Sequence, residues 1–319
     1  MPHSPDYHEL TRMVRQLREA LVLTRSPNFK FLTFSPPGHF YSPIPDIASI
    51  KSDSYRLFDP NSAEIAGLHL NESGQLELVE RFSAFKSKIP WPADGRDPGF
   101  RYHFDNIYFS YGDAVSLFGL MKEFRPGRVI EVGSGYSSAA MLDIDELFLG
   151  RSTSFTFIEP HPDRLKDLLK DEDWARVGIL EHPVQDSSIS DFTALKKNDI
   201  LFIDSSHVSK AGSDVGYLIN LVLPHLAPGV IIHFHDILWP FEYPGKWLTA
   251  GRAWNEAYLL LAFLQYNSAF EILFFNSYLE KHHRKLLRRK LPLMLRQPSS
   301  KMTFGNSSLW LRKSENPPG

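Results

Sequence analysis

The chain contains no cysteine among its 319 residues. Disulfide bonds, thiolate nucleophiles and cysteine-ligated zinc sites are therefore excluded. Its 35 basic and 37 acidic residues give a net charge of -2, and this balance argues against a nucleic-acid-binding protein. The densest apolar run, residues 257–264, is far too short to span a bilayer.

What remains is the composition of an ordinary globular protein, with 43% hydrophobic and 23% charged residues. The first residues include acids and have no continuous apolar segment, so no signal peptide is expected and a cytoplasmic location is the default. Residues 9–23 have the spacing of an amphipathic helix, for which packing or a homo-oligomer is the expectation. Residues 26–61 and 91–102 are loop-like, and 71–89 are helical. We therefore expect residues 1–105 to form an irregular helix-and-loop extension.

Strand and helix patterns alternate from residue 106 onward. A helix is predicted over residues 113–124, with Asp113 as its N-cap. Continuous apolar strands separated by helices indicate a parallel sheet covered on both faces. Residues 106–313 therefore predict an α/β, doubly wound, Rossmann-like sheet of seven mostly parallel strands, followed by a tail at 314–319. The last two strands predict an antiparallel C-terminal hairpin at one edge. The strands are predicted at residues 128–132, 154–159, 177–182, 199–204, 229–236, 270–276 and 307–312.

The turn after the first strand, with the sequence RVIEVGSGYSS, is the most informative stretch. A strand that turns tightly into a helix presents backbone N–H groups and a positive dipole end to a ligand. Glu131 places a carboxylate at the strand end, which would repel a pyrophosphate but attract an ammonium or sulfonium group. A G-x-G pattern by itself is also explained by a tight structural turn.

Glu131 to Gly135 resemble motif I (E/D-x-G-x-G) of class I S-adenosylmethionine-dependent methyltransferases, with Ser137 standing where a third glycine is often found. The resemblance implies S-adenosylmethionine as the cofactor. Further acidic and amide residues follow the later strands: Glu159 for the ribose hydroxyls, Gln185 and Asp186 for the adenine amino group, and Asp204. Each of these also has a structural explanation, because polar residues commonly end buried strands. The implied cofactor-binding set is Glu131, Gly133, Ser134, Gly135, Tyr136, Ser138, Glu159, Gln185, Asp186 and Asp204.

Asp204 and the His235–Asp236 pair end neighbouring strands, about 5 Å apart, so their side chains can converge on one ion. With His207 three residues after Asp204, the pattern resembles metal-dependent O-methyltransferases of the sugar, macrolide and cephamycin-type branch. The resemblance implies that Asp204, His235 and Asp236 hold Mg²⁺ or Mn²⁺, that His207 is the general base, and that His207, Asp204 and Asp236 are catalytic. His235 stands where that branch usually has a carboxylate. A metal-free site with His207 as base stays open.

The function implied is methylation of a hydroxyl on a sugar or secondary metabolite, with a small-molecule acceptor and no nucleic acid. Two alternatives stay open. A nicotinamide-dependent oxidoreductase would need a glycine at position 138 to complete G-x-G-x-x-G, and Ser138 stands there. A non-catalytic binding protein could share the fold. The basic run at residues 281–290 is interpreted as a solvated face.

Overall fold

The sheet defines the architecture of the computed structural model, which describes residues 24–58, 64–95, 97–299 and 305–315. Its seven strands follow the order β3-β2-β1-β4-β5-β7-β6. Strands β1 to β5 are parallel, whereas β7 is antiparallel to both β5 and β6. The seven-stranded, mostly parallel α/β fold predicted from the sequence is confirmed. The strands are β1 (Arg128–Val132), β2 (Ser154–Ile158), β3 (Val177–Leu180), β4 (Ile200–Ile203), β5 (Ile231–Phe234), β6 (Phe270–Phe275) and β7 (Leu309–Lys313).

Helices cover the sheet, and every residue of β4 and β5 is buried as a result. Two helices continue as π-helical turns, at Asp145–Leu149 and Leu218–Val222. None of the described helices is long and apolar enough to cross a bilayer. The helix predicted for residues 9–23 lies outside the described residues. The α-helices are α1 (Phe29–Phe34), α2 (Ile47–Ser52), α3 (Ser54–Leu57), α4 (Glu72–Ser83), α5 (Tyr111–Phe124), α6 (Tyr136–Ile144), α7 (Asp163–Leu168), α8 (Ile189–Thr193), α9 (Asp214–Tyr217), α10 (Leu223–His225), α11 (Gly245–Thr249), α12 (Glu256–Leu264), α13 (Asn276–His282) and α14 (Arg284–Lys290).

The described chain divides into two compact units. The smaller unit holds residues 24–58 with Gly245–Ala253, and the larger holds the described residues of 64–244 and 254–315. This division differs from the expected boundary at residue 105. Phe82 of α4 lies 5.3 Å from the ring of Phe274 in β6, and the buried Arg101 binds Asp143 and Asp173 at 2.8 and 2.7 Å. Residues before 105 therefore contribute to the core of the sheet-containing unit.

Asp113 does not have the predicted N-cap role. Helix α5 begins two residues earlier, at Tyr111, and the Asp113 side chain is buried in its first turn. Its carboxylate accepts hydrogen bonds from the backbone N–H groups of Ser307 and Ser308, both at 2.8 Å, and from the Asn276 amide at 3.0 Å. Asp113 therefore ties α5 to the segment that enters β7.

The last two strands form the expected antiparallel pair but not a short hairpin. Residues 276–308 connect them and include α13, α14 and a 3₁₀ turn at Pro292–Leu295. The basic run belongs to this connection. Leu287 is buried beneath it, while Arg284 and Lys290 pair with Glu280 and Glu80. Because most residues of this run are charged, the sequence did not indicate that α14 packs against the protein through Leu287.

The buried side chain of Glu131 stabilises the turn between β1 and α6 through hydrogen bonds. It is fully buried, and its two carboxyl oxygens are bonded to the hydroxyls of Ser137 and Ser138. The Ser138 hydroxyl also accepts a hydrogen bond from the N–H of Gly135 at 2.9 Å. Burial raises the pKa of Glu131 to about 8, although the two serine hydrogen bonds oppose the shift. This carboxyl group is therefore a structural part of the turn rather than a surface for a ligand.

Gly133 is needed in the same turn for two reasons. Its φ of +81° lies in the left-handed region, where glycine has no steric penalty. A Cβ at this position would also stand 1.9 Å from the carbonyl oxygen of Asp204. The close approach of the turn to the end of β4 therefore depends on glycine.

We expect Glu131→Gln to remove a pH-dependent loss of stability. The folded-state pKa of about 8 lies above the ordinary value, so the wild type loses stability as pH rises from about 4.5 to about 8, by roughly 3–5 kcal/mol. Thermal unfolding between pH 5 and 9 should show the variant gaining on the wild type as pH rises. The exposed Glu181→Gln is the control. An unfolding difference that stays constant with pH would contradict the buried, neutral Glu131.

Candidate functional site

A cavity of about 430 Å³ opens at the carboxyl edge of the sheet. It lies where the strand order reverses, between β1 and β4, which is the position at which open α/β sheets bind ligands. Its walls come from the ends of β1, β2 and β4 and from the loops after β3 and β4. The residues are Val132, Gly133, Ile158, Glu159, Pro160, Pro183, Val184, Gln185, Asp204, Ser205, Ser206, Lys210, Gly212, Ser213 and Asp214.

Four residues of the predicted cofactor set line this cavity: Gly133, Glu159, Gln185 and Asp204. The Glu159 carboxylate is oriented by backbone N–H groups, from Ser134 at 3.3 Å and from His161 at 2.8 Å. The Gln185 amide donates to the carbonyl oxygen of Gly212 at 2.8 Å, which leaves its own oxygen as an acceptor. The cavity thus has a carboxylate at one point and an amide acceptor at another.

The other predicted cofactor residues lie outside the cavity wall. Glu131 and Ser138 are buried and bonded to each other inside the turn between β1 and α6, and Ser134 and Gly135 belong to that turn. Tyr136 begins α6, and its ring stacks on Tyr108 with centroids 5.8 Å apart. Asp186 lines a separate groove of about 720 Å³ along the sheet. Gln185 and Asp186, neighbours in the 3₁₀ turn at Val184–Asp186, therefore line different cavities, and the adenine contact of Asp186 stays a prediction.

His207 lies among three carboxylates beside the cavity. Its Nδ1 is 2.8 Å from Glu256, and its Nε2 is 3.4 Å from Asp204 and 3.8 Å from Asp236. The imidazole is buried, while the side chains of Asp204 and Asp236 are 35% and 18% exposed. The Trp254 ring lies 4.4 Å from the imidazole. Nδ1 of His207 is therefore bonded to Glu256, and Nε2 faces the partly exposed carboxylates of Asp204 and Asp236.

The charges of this cluster depend on one another. Burial disfavours a charged imidazole, but the hydrogen bonds to Asp204 and Glu256 raise the pKa of His207 well above its usual value. Burial likewise opposes ionisation of Asp204, and His235 and His207 nevertheless lower the pKa of that carboxyl. Asp204 is therefore ionised, and His207 keeps its proton to a higher pH than a free imidazole does.

Two residues of the cluster have left-handed backbone conformations that side chains rarely adopt. The φ angles are +60° at His207 and +55° at Asp236. The His207 carbonyl accepts N–H bonds from Asn255 and Glu256 at 3.0 and 3.1 Å, which fixes its loop to the start of α12. Strained backbone of this kind concentrates at functional sites.

The predicted metal site of Asp204, His235 and Asp236 does not fit the geometry. The His235 Nε2 lies 3.3 Å from the carbonyl oxygen of Tyr108, so this nitrogen carries a proton and has no lone pair for a cation. Burial opposes the shift, but Asp204, Asp236 and Asp113 raise the pKa of His235. Among the described residues, no three His, Asp or Glu side chains converge in a group that could hold a metal ion.

Because it contacts His207, Glu256 is a candidate site residue, and the sequence analysis did not identify it. It begins α12, is 1% exposed and lies 49 residues after His207. An acid at the start of an otherwise apolar helix is a weak signal, because first-turn acids are common for dipole reasons. The contact with His207 arises from packing between distant segments.

Comparisons with known proteins agree with this geometry. A family model described as a methyltransferase domain matches residues 130–237, which span β1 to the residue after Asp236. A protein of Archaeoglobus fulgidus, described as uncharacterized, is 31% identical over 175 residues, covering 52% of this chain and 75% of that protein.

Distant likenesses extend to solved methyltransferase structures. The SAH-bound methyltransferase PaMTH1 of Podospora anserina is 13% identical with a TM-score of 0.42, covering 85% of this chain and 98% of that chain. The O-methyltransferase TomG of Streptomyces achromogenes, in complex with SAM, is 12% identical with a TM-score of 0.37, covering 83% and 96%. Residues 130–237 of the chain match the methyltransferase-domain family, and the sheet that contains them has the strand order β3-β2-β1-β4-β5-β7-β6.

Proposed function

We propose that the chain methylates a hydroxyl group of a sugar or other small metabolite, with His207 as the general base. One observation carries the proposal: Glu256 holds Nδ1 of His207 at 2.8 Å while Nε2 faces Asp204, which lines the cavity. A carboxylate that orients an imidazole in this way fixes its tautomer and raises its basicity. His207 would act without a metal ion, because no three His, Asp or Glu side chains of the described residues form a group that could hold one.

Three cavity residues have suitable chemistry for the nucleoside half of the cofactor. Glu159 accepts from two ribose hydroxyls, as an acidic residue after the second strand does in dinucleotide-binding folds. The oxygen of Gln185 accepts from the adenine amino group, because its NH₂ group is already bonded to Gly212. Gly133 admits the ligand close to the backbone. When bound, the cofactor supplies an electrophilic sulfonium methyl group with a neutral leaving group.

His207 removes the proton of the acceptor hydroxyl through Nε2. The resulting imidazolium is stabilised by Glu256, Asp204 and Asp236. Trp254, against the imidazole, supplies an apolar surface beside the base. The enzyme therefore contributes mainly positioning and deprotonation of the acceptor.

We expect Glu159→Ala to weaken S-adenosylhomocysteine binding about a hundredfold or more, because two hydrogen bonds to a charged acceptor are lost. Isothermal calorimetry measures the affinity. Glu181→Ala, which removes an exposed acid that pairs with Lys166, is the matched control. NAD should give no heat with the wild type. Unchanged affinity in Glu159→Ala would refute the nucleoside placement, and NAD binding would favour an oxidoreductase.

We expect His207→Ala to reduce methyl transfer by about 10²–10⁴-fold, the usual contribution of a general base. S-adenosylhomocysteine should still bind. Tritium transfer from labelled S-adenosylmethionine to a panel of sugars and phenolic metabolites measures the activity, on the acceptor that the wild type uses. His225→Ala, at an exposed histidine, is the control. Full activity in His207→Ala would contradict its role as the base.

The activity should rise with pH through a pKa above 6.5. The carboxylates retain the proton on His207, and only the deprotonated ring accepts a proton from the acceptor. Glu256→Gln removes one of these carboxylates, so the rising limb of kcat/KM should move to lower pH while the maximal rate falls. A pH profile that is identical in wild type and Glu256→Gln would show that this pair does not control the base.

A further inference from the structure

Arg164 lies against the turn between β1 and α6. Its Cδ is 3.1 Å from the position that a Cβ on Gly135 would take. Its guanidinium carbon lies 3.8 Å from the ring centroid of Tyr108, and that ring stacks on Tyr136. The aliphatic part of the Arg164 side chain therefore lies along the turn at Gly135. Its guanidinium group lies against the ring of Tyr108, which in turn stacks on Tyr136.

The positive charge of Arg164 has no acidic partner among the described residues. The residue is exposed, so the guanidinium keeps N–H donors available. The charge of Arg164 nevertheless acts on the site. Burial, His235 and His207 have the larger effects on the pKa of Asp204, and Arg164 lowers this pKa further. An exposed arginine that lies against the turn at Gly135 and has no acidic partner among the described residues is suited to an anionic ligand group.

The proposed position of the cofactor indicates which group that is. With the adenine on Gln185 and the ribose on Glu159, the amino-acid end would pass Gly133, which lines the cavity, and continue along the turn to Gly135. That end carries a carboxylate, which is costly to desolvate without a partner. Lys210 also lines the cavity, but it belongs to the loop after β4, where its backbone N–H donates to the Ser213 hydroxyl at 3.1 Å.

We propose that Arg164 binds the carboxylate of the cofactor's amino-acid end. The inference rests on the proposed function and adds a binding residue to it. The planar fork of a guanidinium matches a carboxylate in a two-point contact. Stacking on Tyr108 occupies the face of the guanidinium and leaves its edge for this contact. Glycine at position 135 makes room for the stem, since any side chain there would meet it.

The test compares two ligands that differ by the carboxylate alone. Calorimetry is done with S-adenosylhomocysteine and with 5′-(3-aminopropylthio)-5′-deoxyadenosine, its decarboxylated form. Arg164→Met should weaken S-adenosylhomocysteine on the order of tenfold, the loss of a charge-assisted contact, and leave the decarboxylated ligand unchanged. Arg164→Lys should fall between wild type and Arg164→Met. Arg128→Met, at an exposed arginine that begins β1, is the control and should bind both ligands normally.

Two outcomes would overturn the inference while leaving the proposed function intact. Equal weakening of both ligands would mean that Arg164 supports the Tyr108 loop and does not contact the carboxylate. Unchanged binding of S-adenosylhomocysteine would mean that it contributes nothing. A wild type that binds neither ligand would refute the proposed function itself, and this inference with it.

Discussion

The site depends on backbone hydrogen bonds that continue the sheet one residue beyond its strands. Asp204 donates to Val132 at 2.8 Å, His235 donates to Ile203 at 2.9 Å, and Gly133 donates to Ile158 at 3.0 Å. These bonds hold the ends of β1, β2, β4 and β5 in one register. Because side chains alternate between the faces of a strand, a shift of one residue would move Asp204 away from the cavity. Segments that are distant in sequence are therefore held in fixed positions relative to one another.

The electrostatics of the cluster follow from this fixed register. His207 and His235 are buried, and burial disfavours their charged forms. Asp204 and Asp236 lie close enough to both rings to reverse that preference. Since an isolated buried charge is costly, each group depends on its partners. In the same arrangement, one ring nitrogen of His235 lies on the carbonyl oxygen of Tyr108 and one ring nitrogen of His207 lies on the carboxylate of Glu256.

The sequence allowed the sheet, the turn after β1 and the cavity residues Glu159 and Gln185 to be predicted, because apolar strands and their polar ends follow local rules. Three features depended on tertiary packing. Glu256 reaches His207 only through the placement of α12. Glu131 turns inward because Ser137 and Ser138 supply hydroxyls where a glycine would supply none. Asp186 lines a groove separate from the cavity that Gln185 lines, although the two residues are neighbours in the sequence.

The proposed function requires the cofactor to lie in the cavity at the ends of β1, β2 and β4, with its sulfur toward His207. A crystal structure of the full chain with S-adenosylhomocysteine would show whether it does. We expect the ribose hydroxyls on Glu159, the adenine amino group on Gln185, and the sulfur facing the space between Asp204, Asp236 and Nε2 of His207. A nucleoside bound instead in the groove beside Asp186, or a sulfur directed away from the imidazole, would contradict it.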